Sequence, residues 1–150
     1  MDKNQVIQLL RTAKRDHLAW VGRAELLVQG IPVSKEQLPV LHTDCNFGRW
    51  YFGEGQVLAK FTDFRAIDPP HQTLHHAYAQ IFKLLLEEEN PSFFSKLLGT
   101  ARKQHERNMP AIEANMRALE QASQEVVRHL EALEHILHDM PDEDVVELFR

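Results

Sequence analysis

Four side chains in this sequence of 150 residues stand where chemistry is possible: His17, Cys45, His71 and His75. Cys45 is the sole cysteine, so neither a disulfide framework nor a Cys-rich metal site can form within the chain. His71 and His75 are four apart, hence neighbours on a helix surface and able to bring two imidazoles to one ion. His17 takes a slot where the surrounding pattern asks for an apolar residue. Three imidazoles and one thiolate make a closed tetrahedral shell for zinc. Soft sulfur with borderline nitrogen suits Zn2+, or copper in a rarer case, far better than magnesium or calcium. The expectation is one metal ion held by His17, Cys45, His71 and His75. A closed shell leaves no position for a substrate water, so no enzyme is expected. A zinc hydrolase would require one of the four not to be a ligand. Plainer readings stand beside this one. His17 can be a core histidine with a hydrogen-bonded partner, and Cys45 a small buried hydrophobe. A chain with nine histidines also shows such pairs by chance.

The elements that must position these residues read as helices. From about Asn4 to Gln29, apolar residues recur at Val6, Leu10, Ala13, Trp20, Ala24 and Leu27, a spacing of four and three broken only by His17. Gly30 and Pro32 end that helix. Residues 31–43 read as a loop, in which Ser34 and Gln37 have capping-box spacing that Pro39 cuts short. His42 reads as a surface histidine there. Thr43 or Asp44 is expected to cap a short helix whose Phe47 and Trp50 pack in the core. Cys45 would lie in its first turn, where free N–H groups and the helix dipole favour a thiolate. Gly48 reads as a position of close approach.

Residues 56–67 suggest a short irregular helix. Asp68-Pro69-Pro70 then reads as the capped start of another, running to Glu89. With His71 at zero on its helical wheel, His75 falls near about +40° and Leu74, Tyr78, Ile81, Phe82 and Leu85 between about −80° and +20°. Both histidines thus flank the buried stripe, and His76 faces solvent. Phe93, Phe94, Leu97 and Leu98 suggest a further short helix. The last long helix is expected over about 110–140, with apolar residues at Ile112, Met116, Leu119, Val126, Leu130, Leu133, Leu137 and Met140 and Ser123 filling the missing seam position. Such a seam suits a bundle wall or a dimer contact. His129, His135 and His138 read as its solvated face, and Asp139 to Glu147 as a frayed end or a separate short helix. The whole is an all-α, antiparallel four-helix-type bundle with short connecting helices, one domain over residues 1–150.

Composition narrows the function classes. Lys and Arg number 17 against 22 Asp and Glu, a net charge of −5 with no basic stripe, so nucleic acid is not an expected partner. No apolar run approaches the roughly 20 residues that span a bilayer. The N-terminus is polar and lacks a signal-peptide core, so a cytoplasmic protein away from the membrane is expected. Phosphate-binding glycine loops, nucleophile elbows, His-Glu-x-x-His and Cys-x-x-Cys pairs are absent. Glu-x-x-His, which a di-iron carboxylate bundle needs, is absent too.

Three stretches together carry a resemblance: His17-Leu18-Ala19-Trp20, Cys45-Asn46-Phe47-Gly48-Arg49-Trp50 and His71-Gln72-Thr73-Leu74-His75-His76-Ala77. In this order and at these separations the sequence resembles the chemoreceptor zinc-binding domain family of bacterial chemoreceptors and diguanylate cyclases. The resemblance covers about residues 10–85, and the helix with Ser123 and Leu130 is similar to the family's closing helix. It implies that His17, Cys45, His71 and His75 bind one zinc ion. It also implies a bundle of antiparallel helices that forms homodimers, and regulation of an output domain by zinc or by oxidation of the zinc-bound thiolate. No signalling, cyclase or membrane segment is attached to this sequence, so a stand-alone module acting through a separate signalling protein is expected. The alternatives are a thiol-based sensor of hypochlorous acid and a structural dimeric helical adaptor. The acidic C-terminus lies outside the resemblance.

Overall fold

The computed structural model describes residues 1–31, 41–89, 93 and 97–150. Among these residues there are five α-helices and no strand: α1 (Lys3–Val28), α2 (Asn46–Tyr51), α3 (Thr62–Glu89), α4 (Thr100–Asp139) and α5 (Asp142–Leu148), with a 3-10 turn over Glu54–Leu58 between α2 and α3. The all-α bundle expected from the sequence is the observed class.

Asp2 starts α1. Its carboxylate accepts from the Gln5 amide at 2.9 Å while the Gln5 side chain accepts from the Asp2 amide at 2.9 Å, a reciprocal capping box. Gly30, at φ 79°, ends the helix in the left-handed region that glycine enters without steric cost. Between these ends Val6, Leu10, Ala13, His17 and Ala24 are buried along one stripe. Arg11 pairs with Glu134 at 2.7 Å and Lys14 with Glu131 at 2.8 Å. As the number rises in α1 it falls in α4, so these two helices are antiparallel.

His129 of α4 meets Asp63 of α3 at 2.8 Å, which sets the direction of that pair as well. A parallel arrangement would separate Glu89 from Thr100 by about 80 Å of helix rise. The chain between them reaches at most about 40 Å. Hence α3 and α4 are antiparallel, and α1 and α3 run the same way. The seam of α4 buries Ile112, Met116, Leu119, Ser123, Val126, Leu130, Leu133 and Leu137 against both partners. Short α2 packs beside them through Phe47, Trp50 and Tyr51, and Tyr51 and Phe64 stack at 4.3 Å between ring centroids.

Several element boundaries depart from expectation. Of the helix expected over 56–67, residues 56–58 belong to the 3-10 turn and residues 62–67 run on without a break into the helix expected over 69–89; together these are α3, with Pro69 and Pro70 inside it, so Asp68 is not a cap. The two prolines withhold hydrogen bonds only from the carbonyls of Arg65 and Ala66. Packing along α4 carries the helix through that gap. Just upstream, the Tyr51 hydroxyl donates to the Phe64 carbonyl at 3.0 Å. Likewise α4 begins ten residues before Pro110. The short helix expected at 93–98 and the turn at Ser34–Gln37 fall largely or wholly outside the described residues. Of the apolar residues in the first, Phe93, Leu97 and Leu98 are exposed. The acidic tail is a separate helix, α5, which buries Val145 and is tied to α1 by Lys3, 3.1 Å from Asp142.

Candidate metal centre

Two of the long helices, α1 and α3, and the start of short α2 bring donors to one point. His17 projects from the buried stripe of α1, and His71 and His75 from successive turns of α3. Cys45 is the N-cap of α2 rather than a first-turn residue: its Sγ accepts from the Gly48 amide at 3.1 Å. Neither Thr43 nor Asp44 serves as the cap. One donor atom from each of His17, Cys45, His71 and His75 lies within 4.8 Å of the other three. All four residues are at most 4% exposed. Among the described residues no other such group of three or more His, Cys, Asp or Glu converges.

The backbone of α2 depends on Gly48. A Cβ there would stand 1.8 Å from the His42 carbonyl oxygen. The close approach anticipated at this glycine is therefore made by the turn before α2, which wraps over the helix start. Within that turn the Cys45 thiol donates to the His42 carbonyl at 3.4 Å. His42 is not a surface histidine. Its ring is largely covered, stands 5.6 Å from the His71 ring, and its Nε2 lies 3.1 Å from Asp68 Oδ1. Sequence reasoning missed it because a residue outside a helix has no periodicity to reveal its face. Trp20 and Phe47 are walls of the site. The Trp20 ring is 4.8 Å from His17 and 5.0 Å from His75, and the Phe47 ring is 5.3 Å from His71. Trp20 is one helical turn beyond His17, which is the signal that could have placed it there.

Hydrogen bonding orients the donors. His17 Nδ1 lies 2.6 Å from the Ala13 carbonyl, an acceptor only, so Nδ1 carries the proton. The Nε2 lone pair is left, buried and without a hydrogen-bond partner. That is how a metal-binding histidine is commonly held. His71 Nε2 lies 3.5 Å from Cys45 Sγ. With Zn–S near 2.3 Å and Zn–N near 2.0 Å, adjacent donors of a tetrahedral site stand about 3.3–3.6 Å apart. The sulfur–imidazole edge already has this length. The widest donor separation, 4.8 Å, exceeds it by about 1.2 Å, within reach of side-chain rotation. The residues present thus fit a zinc ion. An orphaned buried imidazole nitrogen costs about 1–3 kcal/mol, which coordination would offset.

Burial dominates the electrostatics. It lowers the pKa of His17, against a smaller opposing effect of the Ala13 carbonyl. Burial, then the neighbouring His17, His75 and His42, pushes His71 down to about 2. Both imidazoles are therefore neutral, the form that ligates. Cys45 departs from expectation: burial pushes its thiol up, against the smaller opposing pull of the Gly48 and Phe47 amides and Arg49. One short helix start does not outweigh desolvation, so the metal-free protein carries a thiol here and not a thiolate.

A pocket of about 280 Å³ between α1 and α2 reaches this centre. Gln8, Thr12 and Asn46 form its exposed mouth, and His17 and Cys45 lie at its floor. Elsewhere, His76, His135 and His138 are exposed as expected, whereas His129 is half-buried in its pair with Asp63. Glu131 and Glu134, near His135 and His138, are engaged by Lys14 and Arg11.

Fold and site together define a helical bundle with three imidazoles and one thiol gathered at a buried point. The family model of the chemoreceptor zinc-binding domain matches residues 17–82, spanning all three motifs that carried the resemblance. The chain is similar to this family over those residues. No curated protein and no solved structure matches the chain. Among the described residues, no helix is long and apolar enough to cross a membrane.

Proposed function

We propose that this protein is a zinc-binding regulatory module in which His17, Cys45, His71 and His75 hold one Zn2+ per chain. The observation that carries the reading is the convergence of these four donors, from three separate elements, at a point where the His17 lone pair has no other partner. When bound, zinc supplies a positive centre that stabilises the Cys45 thiolate and links α2 to α1 and α3. His17 is pre-oriented by Ala13, Trp20 and Phe47 cover the imidazoles, and His71, held neutral by burial, stands with His75 on successive turns of α3. Four protein donors complete a tetrahedral shell, which favours a sensing or structural ion over a hydrolytic one. Zinc-binding energy becomes folding energy for the weakest attached element, the six-residue α2. The surface of α2 is then the part whose order reports zinc. The resemblance extends this reading to a cytoplasmic homodimer that passes its state to a signalling protein of the chemoreceptor or diguanylate cyclase type.

The test is the metal content of protein purified without added metal. Wild type is expected to hold one zinc per chain, and Cys45→Ala to hold clearly less. A wild-type protein without zinc overturns the reading and leaves the helical adaptor. The oxidant-sensor reading draws on one further observation, that the sole thiol lies at the floor of an open pocket. Hypochlorous acid would transfer its oxygen to the sulfur, yielding sulfenic acid and chloride. Zinc released by one equivalent of this oxidant in wild type, and not in Cys45→Ser protein that still holds zinc, would favour it.

A further inference from the structure

From the pocket between α1 and α2 we infer that the metal ion is loaded and released through this opening, by way of Asp16, with α2 loosening only after the ion has gone; the inference rests on the zinc reading above. The four donors are sealed on most sides. Trp20 and Phe47 lie against the imidazoles, and the His42 turn covers the α2 side. An ion bound among residues at most 4% exposed needs a path to solvent. The pocket supplies one that ends on two of the four donors, His17 and Cys45.

Its size and lining fit passage rather than storage. At about 30 Å³ per water, six waters of a hydrated divalent ion occupy about 180 Å³. The pocket, at about 280 Å³, admits such an ion with its shell. Its wall is largely apolar, with Leu9, Trp20 and Phe47, and holds a single acidic side chain, Asp16, next to His17 in sequence. One carboxylate attracts a cation but does not retain it against its hydration. His17 and Cys45 at the floor can then take the place of waters one at a time, Cys45 giving up its thiol proton to solvent water as it binds, each replacement keeping the ion coordinated. Asp16 is half-buried, and its cationic neighbour, Arg15 at 3.5 Å, is largely exposed, so the carboxylate remains open to a cation in the passage.

The route is separable from affinity. Narrowing a passage slows loading and release by one common factor and leaves the equilibrium unchanged. Thr12, exposed at the mouth on α1 and not itself a donor, is the position to fill. Stopped-flow loading with Zn2+, and release to excess chromophoric chelator, would be compared for wild type, Thr12→Trp and Asp16→Asn. Thr12→Trp is expected to slow both by about tenfold, a barrier higher by about 1.4 kcal/mol, at unchanged affinity. Asp16→Asn is expected to slow loading about two- to threefold, a loss that shrinks at high salt. Unaltered rates in a Thr12→Trp protein that still binds one zinc would overturn the inference. So would a release rate that climbs steeply with sub-denaturing urea, because that marks escape through opening of α2. Failure of wild type to bind zinc at all is a different result, and sinks the ligand assignment instead.

Discussion

At the scale of single residues, burial decides more than local chemistry. His17 and His71 are held neutral because an imidazolium there would lose its water, with His71 displaced to about 2. In the unfolded chain both return to about 6.5. Below that value the unfolded state binds more protons than the folded one, so stability falls as pH falls. Each histidine adds a slope of up to about 1.4 kcal/mol per pH unit, for His71 continuing towards about pH 2. Urea midpoints of the chelated protein are therefore expected to be flat between about pH 7 and 8 and to drop between pH 6 and 5, with His71→Phe reducing the slope. A chelated wild type as stable at pH 5 as at pH 7 would contradict the neutral, buried state. Cys45 shows the same rule from the other side. Its place at a helix start suggested a thiolate, yet its burial raises the pKa, so the anion forms only when a cation is there to share it.

Among the elements, α2 is the one that depends most on its neighbours. Six residues are too few for a stable helix in isolation. It is kept in place by Cys45 at its start, by the turn resting on Gly48, and by Tyr51 bonded to α3. Gly48→Ala would drive a methyl group into the His42 carbonyl, 1.8 Å from its Cβ. The turn must move, at a cost of about 1–3 kcal/mol. The urea midpoint is expected to fall accordingly and zinc affinity to weaken with it, since Cys45 sits between the displaced segments. An unchanged midpoint would mean that the turn relaxes freely. The long helices behave differently. Their stripes were readable because period and burial agree over many turns: Val6, Leu10, Ala13 and Ala24 in α1, and Ile112 to Leu137 in α4, lie where their spacing put them. The breaks at Asp68-Pro69-Pro70 and Pro110 were over-read. A proline removes one bond, and a helix packed along its whole length absorbs that loss.

For the molecule as a whole, the α3–α4 seam and the candidate centre are distinct sources of order. The seam is apolar and independent of metal, whereas the centre ties α1, α2 and α3 through four polar residues. Chelation is thus expected to lower the melting temperature and to raise amide exchange first at residues 45–52, with residues 112–137 of α4 still protected. Hydrogen exchange read by mass spectrometry checks this. Uniform loss of protection would show that the metal centre and seam form one cooperative unit. No change on chelation would favour a bundle in which the histidines only pack.

The sequence by itself determined the all-α class, the buried faces of the long helices, and the match of residues 17–82 to the chemoreceptor zinc-binding domain. These are local or periodic properties, repeated often enough along the chain to be read without its partners. It also placed His17, His71 and His75 on buried faces, because a helical wheel states which way a side chain points. Only the tertiary structure decided that Cys45 reaches the same point, that its thiol is protonated there, that His42 turns inward to Asp68, and that a pocket leads to the donors. Each of these depends on the path of a turn or on the depth of water around one atom. Both follow from how separate elements pack, and no spacing along the chain encodes them.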